Sequence, residues 1–198
     1  MIAASTLPFT FKEANMKRFP ILLMVVAAIA LMASCVGNEV EDKYKDWRND
    51  NTEWFNRQIN RTDASGKSYY QLVTASWDPS ARVLIHWFND TMLTRNNLKP
   101  LFTSTVDVKY RGRLYDSTPF DSSYLSTSPA DSIFRTALNG GIIEGWPLAL
   151  THMHVGDSCE VVIPYQQGYG TSSSGIIKPF SMLIFNLKLV SIYGYETH

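Results

Sequence analysis

The side chains that usually carry covalent or metal chemistry are sparse in this sequence and poorly grouped. The four histidines, His86, His152, His154 and His198, are scattered, and none stands in metal-binding company. His152 and His154 lie two apart at a predicted helix end and read as surface or capping residues. Of the two cysteines, Cys159 sits in the apparent strand Ser158–Ile163 and shares a face with Val161 and Ile163. That setting predicts a small buried hydrophobe rather than a reactive thiol. There is no convincing nucleophile–base triad. The sequence therefore offers no metal site, no cofactor site and no covalent catalyst.

The second cysteine, Cys35, has a different setting. Met16-Lys17-Arg18 is followed by the apolar run Phe19 to Ala33, then Ser34-Cys35. A basic stretch, a short apolar run and small residues before a cut site describe a secretory signal. The run falls short of the ~20 residues a membrane span needs. Leu31-Met32-Ala33-Ser34-Cys35 resembles a bacterial lipobox, although Met32 stands where leucine is more usual. The resemblance implies a lipidated Cys35 and a location in the cell envelope, anchored to a bacterial membrane on its periplasmic side or outer surface. A short uncleaved signal anchor, or a cut elsewhere, are the other readings. Met1 to Asn15 has no place in a signal, so Met16 is the expected start.

Composition bounds the rest. A hydrophobic content of 45% belongs to a chain that buries a core. Eighteen basic and 18 acidic residues cancel, with no clustered basic stripe, so nucleic acid is not an expected partner. Three segments are expected: a signal over 1–34, a tether with an amphipathic helix over 35–66, and a domain over 67–194.

The helix spans Glu41 to Asn60, with apolar residues 44, 47, 54, 55 and 59 at roughly helical spacing. It is either a docking helix that could make a homodimer, a helix packed on its own domain, or a partly ordered spacer. Strands are predicted over Tyr69–Ala75 and Arg82–Phe88, joined at Asp78-Pro79-Ser80, with a polar loop over Asn89–Ser104. Val106, Val108 and Tyr110 alternate onto one face of a further strand. A short helix over Leu148–His154 has Pro147 in its first turn and stops at Gly156. Strands over Ser158–Ile163 and Ser181–Ile192 complete an α+β pattern, an antiparallel sheet curled over one short helix.

The order of motifs between Val106 and Ile192 carries a family resemblance. Val106-Asp107-Val108-Lys109-Tyr110-Arg111-Gly112 is followed by Phe120-Asp121-Ser122-Ser123 and Ile142-Ile143-Glu144-Gly145-Trp146. Met153-His154-Val155-Gly156-Asp157, Ile163-Pro164, Tyr169-Gly170 and Leu183–Leu189 come next. In this order and spacing they resemble the FKBP-type peptidyl-prolyl cis/trans isomerases. The family fold agrees with the reading made without it. Residues 36–104 lie outside the resemblance.

The resemblance implies an isomerase (rotamase) that assists folding of exported proteins, with proline-containing polypeptides as substrates and macrolides as possible inhibitors. Tyr110, Phe120, Ile142, Ile143, Trp146, Tyr169 and Phe185 would line its pocket, with Trp146 as floor and Phe120 and Phe185 as walls. Tyr169 would direct its hydroxyl, and Ile143 its backbone N–H, at a substrate carbonyl. Asp121 would sit at the edge near the rotating bond, and Ile177 would keep an apolar position over the pocket. Taken singly, Tyr110, Ile142 and Phe185 lie on core-facing stripes and could serve packing alone.

The sequence departs from the family pattern at the rim. No basic residue follows Ser123, so Asp121 is expected to be less rigidly placed. Gly141 replaces a more polar residue, and Lys178 replaces the first of two prolines in the hairpin after Tyr169. Two other functions stay open. One is a peptide-binding or chaperone module with a weakened site; the other is an assembly part whose working end is residues 36–104.

Overall fold

The computed structural model describes residues 39–75 and 78–194. The predicted signal, Cys35 and His198 lie outside the described residues. The chain divides into two compact units, Met1–Lys43 and Tyr44–His198. Of the first, residues 39–43 are helical. The second holds every element named below.

Seven strands form one antiparallel sheet: β1 Gln71–Thr74, β2 Arg82–Trp87, β3 Thr105–Leu114, β4 Pro119–Ser122, β5 Phe134–Ala137, β6 Ser158–Ile163 and β7 Leu183–Ile192. Their order across the sheet is β1-β2-β6-β7-β3-β4, and β5 pairs with the first half of β3. The short strands β4 and β5 were not anticipated, since four residues are too few to display a period. Helix α1 spans Lys45–Ile59 and helix α2 spans Gly145–Leu150.

The concave face of the sheet packs on α2, all six residues of which are buried. The helix begins earlier than expected and ends earlier. Its first residue must be glycine, because a Cβ on Gly145 would lie 2.4 Å from Cγ2 of Ile163. It ends where Thr151 Oγ1 donates to the carbonyl of Pro147 and His152 Nδ1 approaches that of Leu148, at 2.7 and 2.8 Å. The Pro147 carbonyl still accepts the Thr151 N–H at 3.0 Å, but the His152 N–H turns to Ala149 at 2.9 Å and leaves the Leu148 carbonyl to a side chain.

The other face explains why β2, β6 and β7 read as apolar triplets rather than as alternating strands. Leu84, Val162 and Ile184 lie in one row of the register, on the opposite face from Ile85, Val161 and Phe185. That outer row is covered by Phe55 of α1, Tyr70 and Met182. Strands buried on both faces lose the polar alternation. Helix α1 therefore packs on its own sheet, and the same compact unit includes it. Asn51, fully buried, fixes its register: its Oδ1 accepts from the Met182 N–H at 2.7 Å and its Nδ2 donates to the Trp47 carbonyl at 2.7 Å.

The loop over Asn89–Ser104 is pinned by one buried carboxylate. Asp157 accepts from Asn89 Nδ2 at 3.0 Å, from Thr94 Oγ1, and from the His154 N–H at 2.7 Å. Burial opposes its charge, but these donors prevail and hold the carboxyl below its ordinary range.

Strand β3 changes register at Gly112. Here the rings of Phe120 and Phe185 rest on the backbone. A Cβ on Gly112 would lie 2.6 Å from the first ring and 2.9 Å from the second.

Two predictions follow from these packing facts. Because the Asp157 carboxyl is depressed in the folded state, its stabilisation is present above its unfolded value of about 3.9 and is lost as pH falls through the folded value. Urea melts between pH 3 and 7 should therefore show an acid limb that Asp157→Asn flattens. The variant should lose about 1–3 kcal/mol at neutral pH, and an unchanged acid limb would refute the assignment. Gly112→Ala should cost about 1–3 kcal/mol by overpacking and shift the Phe120 ring, read by urea melts and a crystal structure. A variant as stable as the parent with its rings unmoved would contradict the close contact.

Candidate active site

A cavity of about 640 Å³ opens between β3, β4, the start of α2 and the segment after β6. Tyr110, Phe120, Asp121, Ile142, Ile143, Trp146, Tyr169 and Phe185 all line it. The structure thus brings eight sequence-predicted residues to one place. Each arrives from a different constraint. Tyr110 and Phe185 point inward from neighbouring strands, Phe120 comes from β4, and Trp146 from the first turn of α2.

Trp146 forms the floor. It is buried at 4% exposure, and three rings stand nearly perpendicular to it: Tyr110 at 5.0 Å, Phe185 at 5.3 Å and Phe134 at 5.9 Å between centroids. Edge-to-face contacts of this kind match a positive ring edge to a negative ring face. The indole Nε1 has no hydrogen-bond partner among the described residues. Phe120 closes the wall, edge-on to Phe185 at 5.4 Å.

The polar groups sit at the rim. The Tyr110 hydroxyl donates to Asp121 Oδ2 at 2.6 Å, and the Ser122 N–H donates to Asp121 Oδ1 at 2.7 Å. Burial first, and then the neighbouring carboxylate, push the Tyr110 hydroxyl well above the ordinary phenol range. It stays protonated at neutral pH and remains a donor. The Tyr110 N–H in turn donates to the buried Ser123 Oγ at 2.9 Å. The expectation of a loosely held Asp121 is corrected: two donors fix both its oxygens without a basic residue. Tyr169 is 40% exposed at the mouth.

Ile177 is also corrected. It is buried in the core at 4% exposure and does not line the cavity. A tight turn in which Ser174 and Ile177 exchange both backbone hydrogen bonds at 2.9 Å folds its side chain inward. The exposed neighbour is Ile176.

Phe134, Gln166 and Glu144 line the cavity and were missed. Phe134 is carried by β5, which gave no periodic signal, although its pairing with Val108 places it beside Tyr110. Cys159 is fully buried beside Met153, and burial pushes its thiol up to about 12.

With this geometry in hand, the chain can be set beside known proteins. Residues 98–190 match the family described as FKBP-type peptidyl-prolyl cis-trans isomerase. The FKBP-type 22 kDa peptidyl-prolyl cis-trans isomerase of Escherichia coli is 42% identical over 94 residues, covering 47% of this chain and 43% of that protein. FK506-binding protein 2 of Aspergillus oryzae is 34% identical over 121 residues, covering 61% of this chain and 86% of that one. The outer membrane protein MIP of Legionella longbeachae is 39% identical over 95 residues, covering 48% and 39%. The chain thus spans only about two fifths of the bacterial relatives, but most of the fungal one. Among solved structures, a peptidyl-prolyl cis-trans isomerase from Pseudomonas syringae superposes with a TM-score of 0.57 at 25% identity, over 75% of this chain and 95% of that one. With a relative matched over most of its length and the same motifs converging on one cavity, the chain belongs to the FKBP-type peptidyl-prolyl cis-trans isomerase family.

Proposed function

We propose that the chain is a working prolyl isomerase acting on proline-containing polypeptides outside the cytoplasm. The observation that carries this reading is the aromatic cavity floored by Trp146. Rotation about a peptide bond meets a barrier of roughly 18–20 kcal/mol, because the planar amide is conjugated and polar. At X–Pro both isomers are populated, yet exchange is slow. The twisted transition state has lost conjugation and is less polar. A cavity walled by Phe120, Phe134 and Phe185 strips water from the amide, which disfavours the planar form more than the twisted one. Each ~1.4 kcal/mol of that difference is worth tenfold in rate. The proline ring would lie on Trp146. The Tyr169 hydroxyl and the Ile143 N–H would hold the flanking carbonyls, and the fixed Asp121 would face the rotating bond. Macrolide inhibitors would compete for the same floor.

The location is part of the proposal. Residues 1–34 would be removed as a signal, and lipid on Cys35 would anchor the chain to the envelope membrane. Among the described residues no helix is long and apolar enough to cross a membrane. The similarity to a relative named an outer membrane protein agrees with an envelope setting. The apolar side of α1 is occupied by the chain's own sheet, with Phe55 buried and Trp54 and Ile59 packed beside it. That favours α1 as a brace over α1 as a homodimer interface.

In a protease-coupled assay on a short X–Pro peptide, Tyr169→Ala and Phe185→Ala should each lower kcat/KM about tenfold or more. Turnover that is absent, or indifferent to both changes, with peptide binding retained would instead favour the binding-module reading. For the anchor, cells expressing the chain should incorporate labelled fatty acid into it, and Cys35→Ser should abolish both label and partition into detergent. Unchanged partition in that variant would remove the lipid anchor.

A further inference from the structure

A second cavity, of about 660 Å³, adjoins the first. The two share Ile142 and Glu144, so the segment from Asn139 to Glu144 forms a ridge between them. The far side of that ridge is walled by Ala81, Phe102, Leu138, Pro147 and Leu148. Two carboxylates stand at this second cavity: Asp78 in the turn between β1 and β2, and Glu144 before α2. Asp78 is set by its own turn, its Oδ1 accepting from the Ser80 N–H at 2.9 Å and the Ser80 hydroxyl at 2.7 Å. With Asp121 across the ridge, three acidic residues line the joined surface. Among the described residues lining either cavity there is no lysine, arginine or histidine.

An apolar trough with acidic groups suits one kind of side chain. Lysine and arginine bury a methylene stem along apolar surface while keeping the charged end in water or on a carboxylate. A purely apolar side chain would leave the carboxylates unused, and an acidic one would be repelled. The cavity is also within reach of the first. An extended chain advances about 3.3–3.6 Å per residue, so a few residues carry it over the ridge.

We propose that the two cavities form one binding surface for a polypeptide substrate, in which the second takes a lysine or arginine a few residues from the proline. This rests on the isomerase reading of the first cavity. It adds a preference for basic residues near the proline, set by Asp78, Glu144 and the apolar wall around Phe102.

The test uses octapeptides with one X–Pro bond and a single lysine scanned through positions two to four on either side, with glutamine and glutamate counterparts. Binding is read by fluorescence anisotropy, and turnover by magnetisation-exchange NMR, which needs no protease. Lysine at the favoured position should bind about three- to tenfold tighter than glutamine and tighter still than glutamate. Because exposed ion pairs are weak and screened, the gap should shrink at high salt. Asp78→Asn and Phe102→Ser, both away from the first cavity, should cut the preference below about twofold. Exchange of a short uncharged peptide should stay unchanged in both. A flat lysine scan in the parent, or a preference that survives both substitutions, overturns the proposal. Absent exchange on the short peptide would instead sink the isomerase reading, while the anisotropy comparison would still decide the second cavity.

Discussion

The sheet is arranged around one indole. Trp146 enters from a helix of six residues, too short to be stable alone. What holds it is the ring of Tyr110, Phe134 and Phe185 standing edge-on to the indole. Those rings come from β3, β5 and β7, so the contact that fixes the floor also sets how tightly the sheet curls. Curling that far requires two missing side chains. Gly145 lets α2 press against Ile163, and Gly112 lets Phe120 and Phe185 close over the β3 backbone. The cavity is thus a consequence of packing geometry.

The outer helix bears on the same site from behind. Trp47 of α1 donates from Nε1 to Ser181 Oγ at 3.0 Å, and Asn51 binds the Met182 N–H at 2.7 Å. Lys178 places its ammonium 4.4 Å from the centre of the Trp47 ring. These contacts fall on the segment joining Tyr169 to β7. Lys178, a departure from the family pattern when read in sequence, is here a strut between hairpin and helix. Fully burying a side chain such as Phe55 is worth about 1.5–3 kcal/mol, and here that burial also steadies the loop following Tyr169.

Much of this was legible in the sequence, and the misses have physical causes. The aromatic stations around the cavity could be read because each sits in a local motif with its own turn or strand. Phe134 could not, since β5 is half-buried throughout and shows no alternation. The covering of the outer face was written in the triplets Val83-Leu84-Ile85, Val161-Val162-Ile163 and Leu183-Ile184-Phe185. Attention to one face of each strand hid the matching row on the other. Ile177 misled because a consecutive pair of isoleucines leaves one to be buried, and only the turn geometry decides which. Asp121 misled because a missing basic residue suggests a loose carboxylate. Its donors are a phenol eleven residues away and a backbone N–H, which spacing alone does not reveal.

That substitution of donors bears on the chemistry. A basic partner would neutralise part of the carboxylate charge beside the cavity, whereas a neutral hydroxyl orients Asp121 and leaves the charge in place. The raised Tyr110 hydroxyl gives up no proton at neutral pH, so it remains a donor to Asp121 there. An apolar cavity with the acidic side chains Asp121 and Glu144 on its lining has an asymmetric field. Through it, the two orientations of a rotating carbonyl dipole differ in energy. In the proposed reaction the floor would strip water from the amide, and the fixed Asp121 would bias the direction of twist. At the rim, Asp121 is thus held by a phenol and a backbone N–H in place of a basic residue, and all eight expected residues still line one cavity.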